Sequence, residues 1–414
     1  MEKITIFSDN KTCCYLSNIS NMIYGFCNED IEYVKNTSGS RCKNVDEIYD
    51  WIYMGAKELG MDEVIDISDY NKLNIPVYTV KKNGALYHTN YGKGITISQA
   101  KISALMEFIE RMSAEKSGTT NIWGTYDELT KKVPYEIVNP SNMITLYTNY
   151  VSETLRINWI PVFNISKMAI AFLPTIGVLF PYYEDEEILF NNNTNGIAAG
   201  SNFHEAIIQG AYEVIERDII SIGLATGKYK NVKKESISDE TINEILAEFS
   251  KQNIDVSVKY IVNEFDIPCF IACCNDEYAK GIYGGYGCHT SKTVALVRAL
   301  TELAQSIKSL SYSGDEIQLI KRESTIKETI WNVVKEEIGF DEINSTVFSD
   351  MNEETEYIIN LLLEKNMHIY VANLTAYDTS ASVPVVRVII PGMENWYDTR
   401  NRIGRRLYNE MQKC

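Results

Sequence analysis

The strongest constraint on this chain is a short phrase that it uses three times. Gly94-x5-Ala100-x6-Glu107 is followed by Gly200-x5-Ala206-x6-Glu213 and then by Gly287-x7-Ala295-x6-Glu302. Each time a glycine turn opens a helix-like run, and three positions past the glutamate stands Glu110, Glu216 or Gln305. An arginine comes next in the first two, Arg111 and Arg217. One helical turn takes about 3.6 residues, so a Glu-x-x-Glu pair projects both carboxylates from one side of a helix. Like charges placed that way repel by roughly a few tenths of a kcal/mol. Repeating the arrangement points to something cationic between them.

The phrases recur 106 and 89 residues apart, measured at Glu107, Glu213 and Glu302, a spacing far too long for a solenoid. The expected fold class is therefore mixed α/β (α+β), with internally quasi-repeated strand–turn–helix units. A strand is expected over Ile75–Val80, with Pro76 near its start where the missing N–H is tolerable. Tyr91-Gly-Lys-Gly94 reads as a turn into a helix from about Ser98 to Lys116, with Ser98 as N-cap. Trp159 to Phe180 reads as two buried strands, and Val256 to Cys274 as another pair. The second and third phrase helices are expected over Asn202–Leu224 and Thr293–Leu310, the third after a glycine-rich turn at Gly281–Gly287. The first 60 residues read as strand and loop ending in a helix around Val45–Leu59, and the charged stretch Lys233–Glu248 as a solvated helix. Residues 311–365 read as acidic, helical and peripheral, Ile369–Ile390 as closing strands, and the end as a basic helix from about Thr399. No linker or composition break divides the 414 residues, so 1–414 is expected to be a single domain, with the motifs concentrated in 69–414.

A net charge of −17 and a pI near 4.8 argue against nucleic acid or an anionic membrane surface as a general partner. The N-terminus lacks the basic-then-apolar layout of a signal peptide, and the longest apolar stretch, Met168–Phe180, is broken by Pro174. A soluble, cytoplasmic protein is expected. Nine cysteines without a CxxC fit a reducing compartment better than a disulfide framework, and four histidines give no zinc spacing. Cys288–His289 reads either as a reactive pair or as a small thiol and an imidazole in a turn.

On the second phrase helix, Glu205 and Glu216 fall about 20° apart and Glu213 about 60° from Glu216. Unpaired buried carboxylates are very costly, so this face meets water or a cation. Hard cations take oxygen ligands, and Mg2+ uses a few carboxylates plus phosphate oxygens. If the helices converge, Glu107, Glu110, Glu213, Glu216 and Glu302 make an all-carboxylate cluster. Such a cluster would clamp a triphosphate and leave Arg217 and glycine-turn amides for the phosphates. The alternative is an exposed, salt-bridged helix surface. No Gly-x4-Gly-Lys-[ST] occurs, so a nucleotide site here is not a P-loop.

Ser103-Ala-Leu-Met-Glu107-Phe-Ile-Glu110-Arg111, Asn195-Gly-Ile-Ala-Ala-Gly200, Glu205-Ala206 through Glu213-Val-Ile-Glu216-Arg217-Asp218, and Ala299-Leu-Thr-Glu302-Leu-Ala-Gln305 together resemble the YcaO domain. The resemblance runs from about Asp69 to the C-terminus and includes Pro384-Val-Val-Arg387 and Pro391-Gly-Met-Glu394. It implies a YcaO-like fold around a central ATP and Mg2+ site without a P-loop. It also implies chemistry in which ATP phosphorylates an amide oxygen, a nucleophile attacks the amide carbon and the phosphorylated oxygen leaves. Carried over by position, Glu107, Glu110, Glu213, Glu216 and Glu302 would hold Mg2+, while Ser103, Asn195, Glu205, Arg217 and Gln305 would contact ATP. The family often has an arginine two residues after the glutamine; here that place is Ile307, followed by Lys308 about 100° round the helix.

Azoline-forming members typically end in a proline-rich tail, whereas the last proline here is Pro391. The resemblance therefore implies a thioamide-type enzyme that replaces an amide or lactam oxygen by sulfur. Its substrate would be a peptide amide or a small molecule such as guanine, which would give 6-thioguanine. Cys288 is the first candidate for a catalytic sulfur carrier. A peptide substrate would call for a separate recognition protein, a separate sulfur-delivery protein is a further candidate partner, and a homodimer is expected from the family. The alternatives are an azoline-forming peptide cyclodehydratase and a non-catalytic ATP-binding auxiliary protein.

Overall fold

The computed structural model describes residues 10–28, 31, 33–34, 39–70, 73–116, 120–144, 154–182, 190, 193–276, 281–313, 336–399 and 403–413. Residues 314–335, much of the stretch expected to be acidic and helical, lie outside the described residues. The chain divides into two compact units. The first takes residues 1–33, 109–218 and 350–413; the second takes 34–108, 219–349 and Cys414. Each is assembled from separated segments, so no break in composition marks either one along the sequence. The described helices are α1 (Asn10–Asn28), α2 (Val45–Glu58), α3 (Ile97–Lys116), α4 (Tyr126–Lys132), α5 (Phe203–Thr226), α6 (Glu240–Lys251), α7 (Lys292–Ser313), α8 (Met351–Glu364), α9 (Trp396–Thr399) and α10 (Arg405–Met411).

The second unit holds two sheets. Strands β1 (Glu63–Asp66), β2 (Val77–Lys81) and β3 (Thr89–Lys93) form an antiparallel three-stranded sheet in that order. The first unit holds a seven-stranded sheet. Its members are β4 (Ile122–Gly124), β5 (Glu136–Ile137), β6 (Ile157–Asn164), β7 (Ala169–Pro174), β8 (Ile197–Ala199), β14 (Tyr370–Asn373) and β15 (Val385–Ile389). The order is β5-β7-β6-β14-β15-β8, with β4 also pairing to β6. Strand β6 is buried along its whole length in mid-sheet, its two asparagines, Asn158 and Asn164, included. The second unit's other sheet orders β12 (Gly281–Cys288), β11 (Cys269–Asp276), β10 (Val256–Ile261), β9 (Tyr229–Lys233) and β13 (Glu337–Gly339).

The glycine turns expected before the first and third phrase helices are strands, β3 and β12. A Cβ on Gly92 of β3 would lie 2.0 Å from the backbone nitrogen of Ala104 on α3. On β12, a Cβ at Gly285 would lie 2.2 Å from Ala299 O and Leu303 N, and one at Gly287 would lie 2.0 Å from Ala295 O, all on α7. Only hydrogen fits there. Gly200, just past β8, makes the same approach to α5, where a Cβ would be 2.4 Å from Ala206 N. A Cβ on the phrase glycines Gly94, Gly200 and Gly287 would lie 2.8, 2.4 and 2.0 Å from the backbone of Ala100, Ala206 and Ala295, so the glycine and alanine of each phrase mark one close approach of chain to helix.

Two further expectations are corrected. Helix α1 lies where strand and loop are expected. It buries Tyr15, Ile19 and Met22 at helical spacing, and this tertiary packing outweighs a β-branched and polar local composition. Helix α6 is not simply solvated. Asp239 caps it by accepting from Ile242 N, and Ile242, Ile245 and Phe249 enter the second unit's core. Lys233, where that helix is expected to begin, belongs to β9.

Candidate functional site

In the second phrase the carboxylates stand on the first turns and middle of α5. Glu205 is 2% exposed, its backbone N–H donates to Asn202 Oδ1 at 2.9 Å, and its Oε2 accepts from Ser201 Oγ at 2.7 Å. Neither Ser201 nor Asn202 is in the sequence-derived set. The signal for them is the run of small polar residues before a helix, the usual chemistry of an N-cap. Glu216 is buried, while Glu213 and Arg217 are half-buried. In the first phrase Ser103, Glu107 and Glu110 are half-buried on α3, and Glu110 Oε1 accepts from Ala199 N at 2.8 Å. That bond ties the second carboxylate of the first phrase to the strand that leads into the second phrase.

In the third phrase Glu302 forms an ion pair with Lys93, each side chain about one-quarter exposed. Lys93 sits between the two glycines of Gly92-Lys-Gly94, a motif too short to read alone. Gln305 is half-buried. Ile307 is in the core, and Lys308 Nζ donates to the carbonyls of Ser68, Tyr70 (3.1 Å) and Leu73 (2.7 Å). Burial pushes the Lys308 ammonium down to about 8. This lysine is committed to its loop and does not replace the family's arginine.

Cys288 is fully buried at the end of β12, opposite Cys269 in the register. His289 Nδ1 accepts from Ser291 N at 3.0 Å, which leaves the ring proton on Nε2, 3.0 Å from Ser40 Oγ. Burial pushes the imidazole down to about 3. His289 is therefore a neutral donor to Ser40 with its acceptor nitrogen occupied, so it cannot act as a base for Cys288 or Ser40. The exposed thiols among the described residues are Cys13, Cys14 and Cys27 on α1.

The first unit contains a cleft whose lining includes Phe190, Asn195, Val214, Arg387, Met393 and Trp396. Arg387 is 6% exposed; its Nη1 donates to Val178 O at 3.0 Å and its Nη2 to Asn193 Oδ1 at 3.3 Å. Burial pushes the guanidinium down to about 10, opposed by the carboxylate of Glu213. Below the phrase residues of α5, buried Asp218 accepts from Glu394 N at 2.9 Å and from Arg406 Nη2 at 2.7 Å. Glu394 in turn accepts from Gly404 N and Leu407 N at the start of α10. Burial raises the Glu394 carboxyl above its usual range.

Among the described residues, no group of three or more His, Cys, Asp and Glu side chains is gathered tightly enough to hold a metal ion. The carboxylates stand as i,i+3 pairs on α3 and α5. Their chemistry fits a hard dication, since all the donors are oxygens and Glu302 already takes a cation, the ammonium of Lys93. No described helix is long and apolar enough to cross a membrane.

Residues 91–394 match the family model described as YcaO cyclodehydratase, ATP- and Mg2+-binding. An uncharacterized protein of Methanothermobacter thermautotrophicus is 27% identical over 371 residues, covering 84% of this chain and 94% of its own length. The fold is similar to that of YcaO from Methanopyrus kandleri bound with AMPPCP and Mg2+. That likeness has a TM-score of 0.72 at 22% identity and covers 91% of this chain and 98% of the other. It is also similar to a heterocyclase in complex with substrate and cofactor, with a TM-score of 0.75 at 20% identity, covering 95% of this chain and 58% of that one.

Proposed function

The chain belongs to the YcaO family, and from that premise we propose that it spends ATP to replace an amide or lactam oxygen by sulfur. The observation that supports this most directly is the set of phrase carboxylates. Two helices each carry a pair one turn apart, and the third phrase glutamate already holds a cation. Glu107, Glu110, Glu213, Glu216 and Glu302 are the proposed Mg2+ ligands, and Ser103, Glu205, Arg217 and Gln305 the proposed ATP contacts. Mg2+ bound there would offset charge on the triphosphate. Ser201, hydrogen-bonded to Glu205, and Asn202, bonded to the Glu205 backbone, fix that side chain before any ligand arrives. Arg217 supplies a planar, permanently charged donor suited to phosphate oxygens.

An amide oxygen is a poor leaving group, and phosphorylation makes it a good one. The carbonyl oxygen attacks the γ-phosphorus, the bond to the β-bridging oxygen breaks and ADP departs. The sulfur of hydrosulfide then forms a bond to the carbon, and the C–O bond breaks with release of phosphate. Nothing is oxidised or reduced. The net change converts amide, ATP and hydrosulfide into thioamide, ADP and phosphate. Cys288 is closed off from solvent by burial, so the proposed direct nucleophile is hydrosulfide and not a persulfide on Cys288.

The test is mass spectrometry on reactions of the purified protein with ATP, Mg2+, sulfide and candidate amides, guanine among them. A product heavier by the difference between sulfur and oxygen, formed together with ADP, is expected. Loss of water from a peptide substrate instead would replace this reading by azoline formation. Nucleotide binding without turnover on any substrate would replace it by an auxiliary role.

A further inference from the structure

Along its Asn193 edge, the cleft in the first unit carries two buried polar atoms with no hydrogen-bond partner among the described residues. They are Arg387 Nε, on a side chain only 6% exposed, and Asn195 Oδ1. Unmet buried donors and acceptors are uncommon and costly, so each calls for an explanation. Both residues line the same cleft, and they are neighbours within it. Asn193 Oδ1 accepts from Asn195 N at 2.9 Å and from Arg387 Nη2 at 3.3 Å, so one oxygen pins both to the same edge. The strand register agrees, because Arg387 on β15 lies opposite Ile197 on β8, two residues past Asn195. Apart from Asn193 and Asn395, the rest of the wall is largely apolar or aromatic and includes Phe190, Met393 and Trp396.

That edge offers one donor and one acceptor from two residues joined through Asn193, against largely apolar surface. A trans peptide group points its N–H and its C=O to opposite sides and cannot present both to one edge. The cis form is essentially confined to proline, which has no N–H to give. A lactam is different, because its ring holds N–H and C=O on the same side, and its planar body suits aromatic walls.

We propose that this cleft is the substrate subsite and that it takes a small planar lactam by its edge, the carbonyl oxygen accepting from Arg387 Nε–H and the N–H donating to Asn195 Oδ1. The inference rests on the function proposed above only for the later fate of that carbonyl. It moves Asn195 from the nucleotide to the substrate, and it places the substrate beside Val214, the neighbour of Glu213 on α5. It also decides between the two substrate classes in favour of the small molecule.

Binding can be tested without nucleotide or turnover, using isoquinolin-1(2H)-one as probe and saturation-transfer NMR with titration as readout. Its N-methyl derivative lacks the donor, and isoquinoline lacks both the donor and the carbonyl. The lactam should bind about tenfold or more tightly than either control, the scale of one buried hydrogen bond left unmade. Asn195→Leu should abolish the preference over the N-methyl compound, and Arg387→Lys should reduce the preference over isoquinoline to the part carried by the N–H. Arg387 is buried and bonded, so Asn195→Leu, on a half-buried loop residue, keeps the test alive if the arginine variant fails to fold. Equal binding of the three compounds, no binding of any, or displacement of the lactam by AMPPCP would each overturn the proposal. The first two leave ordered water as the partner of the two atoms, and the third gives the cleft to the nucleotide. If the lactam binds as stated but no thionated product forms with ATP and sulfide, the functional reading fails while the cleft assignment stands. If thionation proceeds unchanged in Asn195→Leu, the cleft assignment fails while the function stands.

Discussion

Adding a single methyl group at Gly285 should cost both stability and turnover. A Cβ there would lie 2.2 Å from Ala299 O and Leu303 N and 2.8 Å from the carbonyl carbon of Glu302. All three are backbone atoms of α7, so no side-chain rotation relieves the clash. Strand and helix must separate until 2.2 Å becomes at least the 3.4 Å of ordinary contact. Overpacking of this kind costs about 1–3 kcal/mol, and contact with backbone on two sides places Gly285→Ala at the upper end. The same separation moves the backbone of Glu302 by about an ångström, a misplacement that can lower turnover about 10²-fold. Gly84→Ala is the matched control. Nothing lies within 4 Å of its Cβ, so only its φ of +79° resists the change, at about 1 kcal/mol. Urea midpoints with ADP release under saturating ATP read both effects. If Gly285→Ala were no less stable than Gly84→Ala and turned over at the wild-type rate, the close strand-on-helix contact would not be what positions the third phrase.

Further perturbations address the site and its supports. Glu213→Gln should abolish ATP turnover while the protein still folds, with about 1–3 kcal/mol lost because buried Arg387 loses its opposing charge; calorimetry and ADP release check the two parts. Lys93→Met removes the ammonium paired with Glu302, so the Mg2+ concentration giving half-maximal AMPPCP binding should fall, while stability changes by less than about 1 kcal/mol as befits a part-exposed pair. An isothermal titration showing an increased Mg2+ requirement would contradict the competition. The Lys308 ammonium sits near 8 when folded, below its usual value near 10.5, so the unfolded chain binds more protons between those limits and stability rises with pH there. Wild type should therefore gain on Lys308→Met between pH 8 and 10.5 in urea titrations; a loss would reverse the sign of the argument.

The repeated phrase makes the fold class and the five carboxylates legible in the amino-acid sequence, because a Glu-x-x-Glu pair on a helix is a local geometric fact. The phrase also encodes the contact of glycine with alanine, which is not legible there. A glycine in a strand pressed against a helix looks the same in sequence as a glycine in a turn. Helix α1 is hidden for a related reason, as its stability comes from burying Tyr15, Ile19 and Met22 and not from its own propensities. Ser201 and Lys93 are hidden because their roles depend on a partner's position: Glu205 is a turn away, and Glu302 is 209 residues away. Cys288–His289 shows the reverse error. Adjacency in sequence suggests chemistry, but the imidazole faces Ser40 and the thiol is enclosed.

The carboxylate of Asp218 bears on how the protein is made. It is 0% exposed, and its partners Glu394 and Arg406 lie 176 and 188 residues further along the chain. During synthesis this charge emerges one residue after Arg217, long before those two partners. A contact of such long range closes late, because the entropy of a large loop is spent before the contact rewards it. A nascent chain that has not yet reached Arg406 lacks these two contacts to the Asp218 carboxylate. Translation past Arg406 and completion of the hydrogen bonds around Asp218 are thus coupled events.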